Sequence, residues 1–275
     1  MLSATDLQII QRFHVRLGRA TDALFVGEYR SAFLGQGMEF ADVRRYVPGD
    51  DVRRIDWNVT ARTGIPHVKE FKEEREMTVM LVVDVSASMR FRTKRRLCAQ
   101  IAGALAFAGM RNGDRVGLLL LGEHVRSVLP PSKKNGQAWN ILRSIIKDPF
   151  QDRKIAFAKG VERLQRLMPK RSVVCVISDF LDKDWEAIFP LSGRHKVHCF
   201  GLRDELEQSW PFQAMVEIQD SETGERRLVD GRQMEQDWWP EQSRQMTAMG
   251  IPNSLVSSTE NPIVLLLKHF RRVQT

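Results

Sequence analysis

The sequence predicts an α/β fold built on a mostly parallel sheet with helices on both faces. Short apolar runs recur at Val79–Val83, Val116–Leu121, Val173–Ile177 and, interrupted by His198, Val197–Leu202. Runs of that length and β-branched content are expected of strands buried on both faces. Between them lie segments with apolar residues at helical spacing, such as Leu97, Ile101, Leu105 and Ala108. Repeated strand–helix alternation of this kind closes into a parallel sheet through crossover connections. Two of the runs also end in an aspartate, Asp84 and Asp179.

Taken in order, residues 1–72 are expected to form an N-terminal helix and loop module, and residues 73–275 the main domain. The module opens with an amphipathic segment carrying Leu7, Ile10, Phe13, Leu17 and Leu24, followed by a loop or short hairpin from Gly27 to Gly37. A polar, arginine-rich stretch then runs from Glu39 to Arg62 around the turn signal Pro48-Gly49-Asp50. In the main domain, the strand Val79–Val83 precedes a helix over Thr93–Arg111, which Asn112-Gly113 caps. Ala99, Ala102, Gly103, Ala104 and Ala106 make that helix thin enough to lie close on a sheet.

Gly122-Glu123 turns the Val116–Leu121 strand into His124–Leu129 as a hairpin. Helices are expected over Ala138–Lys147 and Ala156–Leu167, and strands over Ser172–Ile177 and Val197–Leu202. An inserted β-hairpin at about 208–232 uses Met215–Ile218 and Arg227–Val229. A polar helix near Gln233–Met249 and a strand at Ser254–Val256 precede a C-terminal segment ending in Phe270-Arg271-Arg272.

Composition narrows the function classes. The 275 residues are 43% hydrophobic and 28% charged, which is ordinary for a globular chain. The net charge of +8 raises nucleic acid as a partner, but acids and bases interleave, as in Lys69-Glu70-Phe71-Lys72-Glu73-Glu74-Arg75-Glu76. Nucleic-acid binders more often segregate their charge, so no nucleic-acid partner is expected. Cys98, Cys175 and Cys199 sit singly in apolar runs without metal-ligand spacing, and read as reduced core thiols. The N-terminus has no basic-then-apolar export pattern, and no apolar run approaches the length of a membrane span. The chain therefore reads as cytoplasmic.

The sharpest local feature is Asp84-Val85-Ser86-Ala87-Ser88. In extended backbone the side-chain period is two, so Asp84, Ser86 and Ser88 project to one side. Open α/β sheets bind ligands at the carboxyl ends of their strands. One carboxylate and two hydroxyls there are hard donors suited to Mg²⁺ or Mn²⁺. Asp179, ending a second buried strand, is placed to reach the same edge. The alternative is a serine-rich turn that only caps the next helix.

The stretch Gly35-Gln36-Gly37-Met38-Glu39-Phe40, with Arg44-Arg45-Tyr46-Val47-Pro48-Gly49-Asp50-Asp51-Val52-Arg53-Arg54-Ile55-Asp56-Trp57 and Thr60-Ala61-Arg62, resembles the signature of the family called "domain of unknown function fifty-eight". The acidic segment Phe71–Glu76 and the strand bearing the aspartate–serine loop follow it as in that family, and Asp220–Glu225 with Val229-Asp230 resembles its hairpin insertion. The resemblance implies a von Willebrand factor A-like fold with a metal-ion-dependent adhesion site. It further implies a co-chaperone or adaptor working with a MoxR-type AAA+ ATPase on client proteins. Asp84, Ser86 and Ser88 match the first metal loop and Asp179 the later aspartate. The sequence departs from the family where a threonine is usual: Phe150-Gln151-Asp152-Arg153-Lys154-Ile155-Ala156 has no hydroxyl residue. Asp152 is the nearest oxygen donor, beside two cations that would repel a metal.

Arg90, Arg92, Lys94, Arg95 and Arg96 crowd the same edge. They form either a solvated face or a docking patch for an acidic partner, with Arg92, Arg95 and Arg96 the partner-binding candidates. Arg44, Arg45, Asp50, Asp51, Arg53, Arg54, Asp56 and Arg62 around Trp57 read as a buried polar network, with a ligand-binding surface as the alternative. Enzymatic readings find little footing. A dehalogenase-type, metal-dependent phosphate hydrolase needs a second aspartate where Ser86 stands. There is no phosphate loop, no nucleophile elbow and no zinc-type histidine spacing. The chain is expected not to be an enzyme.

Overall fold

The computed structural model describes residues 20–34, 38–73, 76–208, 215–219, 225–230 and 238–274. The elements run α1 (Ala20–Leu34), β1 (Met38–Arg45), α2 (Trp57–Thr63), β2 (His67–Glu73), β3 (Thr78–Asp84), α3 (Lys94–Asn112), β4 (Arg115–Leu121) and β5 (Val125–Ser132). They continue α4 (Gln137–Lys147), α5 (Phe157–Leu167), β6 (Val173–Ser178), α6 (Phe189–Ser192), β7 (Lys196–Arg203), α7 (Glu205–Gln208), β8 (Met215–Gln219), β9 (Arg226–Asp230), α8 (Trp239–Ala248), β10 (Asn253–Ser257) and α9 (Pro262–Gln274). Short 3₁₀ turns lie at Val52–Arg54, Ala87–Arg90 and Lys183–Ile188.

Six strands make the central sheet in the order β10-β7-β6-β3-β4-β5. All its pairs are parallel except β4 with β5, the hairpin expected from Gly122-Glu123. β3 lies inside, and the order reverses beside it, so its carboxyl end opens on the switch point where doubly wound sheets bind ligands. This is the mostly parallel sheet with helices on both faces expected from the sequence.

Alternation along β3 feeds two cores. Val79, Leu81 and Val83 join a cluster with residues of α1, α3, α4 and α9, while Met80 and Val82 face residues of α5, α6 and α8. Both faces of the strand are therefore dry, which is why its sequence is an unbroken apolar run. α3 lies close to the sheet through the small residues expected to allow it, with Ala99, Ala102, Ala104, Leu105 and Ala106 all buried. All three cysteines are free and buried.

The chain divides into two compact units, Leu34–Glu76 and Met1–Phe33 with Met77–Thr275. This moves the boundary expected at residue 72. The segment from Gly27, expected as loop, is helical through Leu34, and α1 belongs with the main unit. The reason is burial: Phe25, Tyr29 and Phe33 are almost wholly enclosed and pack on Phe270, with Phe33 and Phe270 ring centroids 5.1 Å apart. Packing of three aromatic rings outweighs the roughly 1 kcal/mol helix penalty of Gly27. Most of the expected first helix, Leu7 to Leu17, lies outside the described residues, as do parts of the hairpin insertion around β8 and β9.

The smaller unit is the antiparallel β1–β2 pair with a 3₁₀ turn and α2 between its strands. Its charged motif does not form the buried network expected of it. Asp50 holds Arg44 in a two-point ion pair of 2.6 and 2.7 Å at the surface, and that pairing lowers its carboxyl to about 2. Asp51 caps the 3₁₀ turn through the Arg53 amide, and Asp56 caps α2 through the amides of Asn58 and Val59. Arg53, Arg54 and Arg62 are exposed, and Trp57 is 70% exposed. The aspartates serve local turns and helix starts, where short acidic side chains satisfy unpaired amides without burial.

Candidate functional site

The site forms where β3, β6 and β7 end. Asp84, the last residue of β3, is 1% exposed. One of its oxygens, Oδ1, accepts the Ser86 amide at 2.8 Å and the other accepts the Ser178 hydroxyl at 2.6 Å. The Ser86 and Ser88 hydroxyls lie 3.0 Å apart and the Ser86 side chain also bonds Asp84, so the three oxygen-bearing side chains meet, with Ser88 placed by the 3₁₀ turn and not by the extended backbone expected. Ser88 is half-buried and Ser86 buried, which places the loop at the mouth of the sheet edge. Ser178 was not among the sequence candidates; its signal was its place at the end of an apolar run, one residue before Asp179.

Both donors to Asp84 are neutral. Burial first, and then the Asp179 charge, push the Asp84 carboxyl up to about 7 against the pull of Ser178 and Ser86. A buried carboxylate in that position wants a proton or a cation. Asp179 is provided for differently: its Oδ2 lies 2.9 Å from the Lys94 ammonium, which also meets Glu207 at 2.5 Å. Lys94 is wholly buried at the first turn of α3. Burial disfavours its charge, but Asp179 and Glu207 outweigh that and hold its pKa above the ordinary lysine value. Lys94, read from sequence as part of an exposed basic edge, is thus an internal cation.

The loop lacking threonine takes a different role. The Asp152 carbonyl accepts the Ala87 amide at 2.8 Å, and Asp152 pairs with Ser86 in an isolated bridge. Its carboxylate turns to the Glu123 amide at 3.1 Å and to Arg126 at 3.5 Å. Asp152 therefore braces the backbone of the aspartate–serine loop, while its carboxylate oxygens are engaged by the Glu123 amide and Arg126. Gly122 makes room for this, since a Cβ there would stand 1.9 Å from an Asp152 oxygen. Among the described residues, three of the four non-glycine positions with left-handed backbone, Arg92, Phe150 and Phe180, flank these segments. Such conformations cost about 1–3 kcal/mol each and persist where surrounding packing imposes them, which concentrates them at functional edges.

Residues 42–247 match the model of "Protein of unknown function DUF58". The chain belongs to that family. Among curated relatives, Mb1516 of Mycobacterium bovis and Rv1480 of Mycobacterium tuberculosis, both described as uncharacterized proteins, are each 33% identical over 211 residues. Each alignment covers 74% of this chain and 67% of the relative. YeaD of Bacillus subtilis, also described as uncharacterized, is 28% identical over 105 residues, covering 38% of this chain and 25% of that protein. Of solved structures, conserved hypothetical protein BatB from Bacteroides thetaiotaomicron gives a TM-score of 0.47 at 15% identity, over 72% of this chain and 98% of that one. The SpRpn10 VWA domain gives 0.39 at 11% identity, over 72% and 97%. Likenesses of this strength support no argument about function.

In this DUF58 chain the basic edge is only partly available. Arg95 is half-buried, donates to the carbonyls of Ile146 and Asp148, and lies over the Phe150 ring at 5.3 Å. It ties α3 to the end of α4 and belongs to the domain's own scaffold, which corrects its assignment to an exposed patch. Arg92 is 55% exposed along its side chain and reaches Asp204 at 3.5 Å, while Arg90 and Arg96 are exposed. Among the described residues, no three histidine, cysteine, aspartate or glutamate side chains form a metal cluster. The donor set at Asp84 is of another kind, one carboxylate with two hydroxyls. Its oxygen chemistry and the uncompensated burial of Asp84 fit a hard divalent cation.

Proposed function

We propose that this DUF58 protein is a non-enzymatic adaptor that binds protein partners at the Asp84 edge, through a metal-ion-dependent-adhesion-type site. Asp84, Ser86 and Ser88 would hold a Mg²⁺ or Mn²⁺ ion, with Asp179 facing it across the edge. The observation that carries this reading is the buried Asp84 carboxylate, which neutral donors orient and no described cation contacts. A cation held by so few protein oxygens keeps open positions, and an acidic side chain of a partner can fill one. Exposed Arg92 and Arg96 would steer acidic surfaces toward it.

The family resemblance extends this reading to a MoxR-type AAA+ ATPase as the partner and to assembly or activation of client proteins, in the cytoplasm. Isothermal calorimetry with Mn²⁺ on the intact chain and on Asp84→Ala tests the metal. Millimolar or tighter binding that the substitution removes is expected, and equal heats would overturn it. Capture of the ATPase by the tagged protein, lost in Asp84→Ala and weakened in Arg92→Glu/Arg96→Glu, tests the partner. Capture that survives both would place the docking surface elsewhere.

A further inference from the structure

A second surface lies far from that site. Between α8, β10 and α9 runs an open groove of about 680 Å³, lined in part by Trp239, Ser243, Leu255, Leu265, Lys268 and Arg272. It sits along the N-terminal half of β10, three strands away from β3 in the sheet order. Among the described residues that line it are three cations, Lys268, Arg271 and Arg272, and no carboxylate. Arg271 is held by Glu28 at 2.8 Å, and Arg272 donates to the Ser254 hydroxyl at 2.6 Å. Both guanidiniums are thereby fixed in place at the groove. Lys268 is exposed.

Among the described residues, β10 is an edge of the six-stranded sheet. Its pairing to β7 includes Cys199 N–H donating to the Pro252 carbonyl at 2.9 Å and Ser258 N–H donating to the Arg203 carbonyl at 3.2 Å. In a parallel ladder alternate residues face the neighbouring strand. Ser254 and Val256 therefore turn their backbone groups to β7, and Asn253, Leu255 and Ser257 turn theirs outward. The Asn253 carbonyl accepts from Arg272 at 3.3 Å. An outward row of backbone donors and acceptors is a template for another strand.

We infer that this groove binds an extended acidic segment of a partner protein, laid along β10 as an added strand. The outward backbone of β10 supplies hydrogen bonds at the two-residue repeat that only a peptide matches. Leu255, Leu265 and Trp239 receive alternate apolar side chains, and Lys268 with the two arginines selects carboxylates between them. A free anion or lipid headgroup would satisfy the cations but leave the strand edge and the apolar wall unused.

The test is fluorescence polarisation of a labelled peptide alternating valine with glutamate, titrated with the intact chain. Binding is expected to weaken about five- to tenfold in Lys268→Glu, an exposed change that leaves the fold alone, and to weaken with salt. Hydrogen exchange at the Leu255 and Ser257 amides is expected to slow on binding. Asp84→Ala is expected to bind the peptide as the parent does, so the fate of the metal reading and of this one separate. Equal affinity in Lys268→Glu, tighter binding of a control peptide alternating valine with lysine, unchanged exchange at β10, or loss of binding in Asp84→Ala would each overturn the proposal.

Discussion

The Lys94 ammonium lies 2.9 Å from the Asp179 carboxylate, with both side chains buried. One residue of the first helix turn thus neutralises the aspartate that follows the neighbouring strand, inside the edge proposed to hold a metal. Replacing Lys94 with methionine leaves the buried Asp179, and the half-buried Glu207, without their cation. Breaking a buried pair in this way costs about 3–5 kcal/mol. Chemical denaturation of Lys94→Met is expected to show that loss, with millimolar Mg²⁺ restoring part of it. A midpoint equal to the parent's would mean the carboxylates find other partners.

Gly122 gives a second handle on the site. In Gly122→Ala the new Cβ meets the Asp152 carboxylate, whose backbone braces Ser86 and Ala87. Asp152 must move, so Mn²⁺ affinity in calorimetry is expected to fall several-fold. Stability should drop by about 1–3 kcal/mol, the usual cost of overpacking. An unchanged affinity would uncouple Asp152 from the loop.

The two units predict opposite responses to substitution. Phe33→Ala removes a ring enclosed with Tyr29 and Phe270 and is expected to cost roughly 3–5 kcal/mol. Arg62→Ala, at an exposed position, is expected to stay within about 0.5 kcal/mol. Thermal melts of the two variants check both. A large loss in Arg62→Ala would restore the buried network read from the sequence.

Acid sensitivity should come from two histidines. His198 Nδ1 lies 3.0 Å from His269 Nε2, and His269 Nδ1 lies 2.8 Å from the Ser254 hydroxyl. Burial holds His269 down to about 3 and His198 well below the ordinary histidine value. Each takes up its proton only on unfolding, so stability is intact above about pH 6.5 and falls below it. The slope is at most about 1.4 kcal/mol per pH unit for each ring. Denaturant midpoints measured between pH 7 and about 5 are expected to fall, and less steeply in His269→Gln. A flat profile would show that the two rings take up protons in the fold as readily as in the unfolded chain.

The sequence alone determined the sheet. Val79–Val83 and its three companions are strands because a dry environment on both faces demands mostly apolar runs, and such runs, even the one that carries His198, are visible without a structure. The loop residues Asp84, Ser86 and Ser88 were legible as well, though the two-residue spacing of extended backbone reaches only Ser86, and the 3₁₀ turn Ala87–Arg90 places Ser88. Tertiary structure decided the rest. Gly27 is helical only because Phe25, Tyr29 and Phe33 find Phe270, more than two hundred residues away in the chain. The charges show the same division most clearly. Lys94, Arg95 and Arg96 are consecutive and chemically alike, yet Lys94 is an internal counterion, Arg95 a tie between helices and Arg96 a surface charge. A helix turns about 100° per residue, so three neighbours face three environments. Which of them meets Asp179, the end of α4 or water depends on elements that only the folded chain brings alongside.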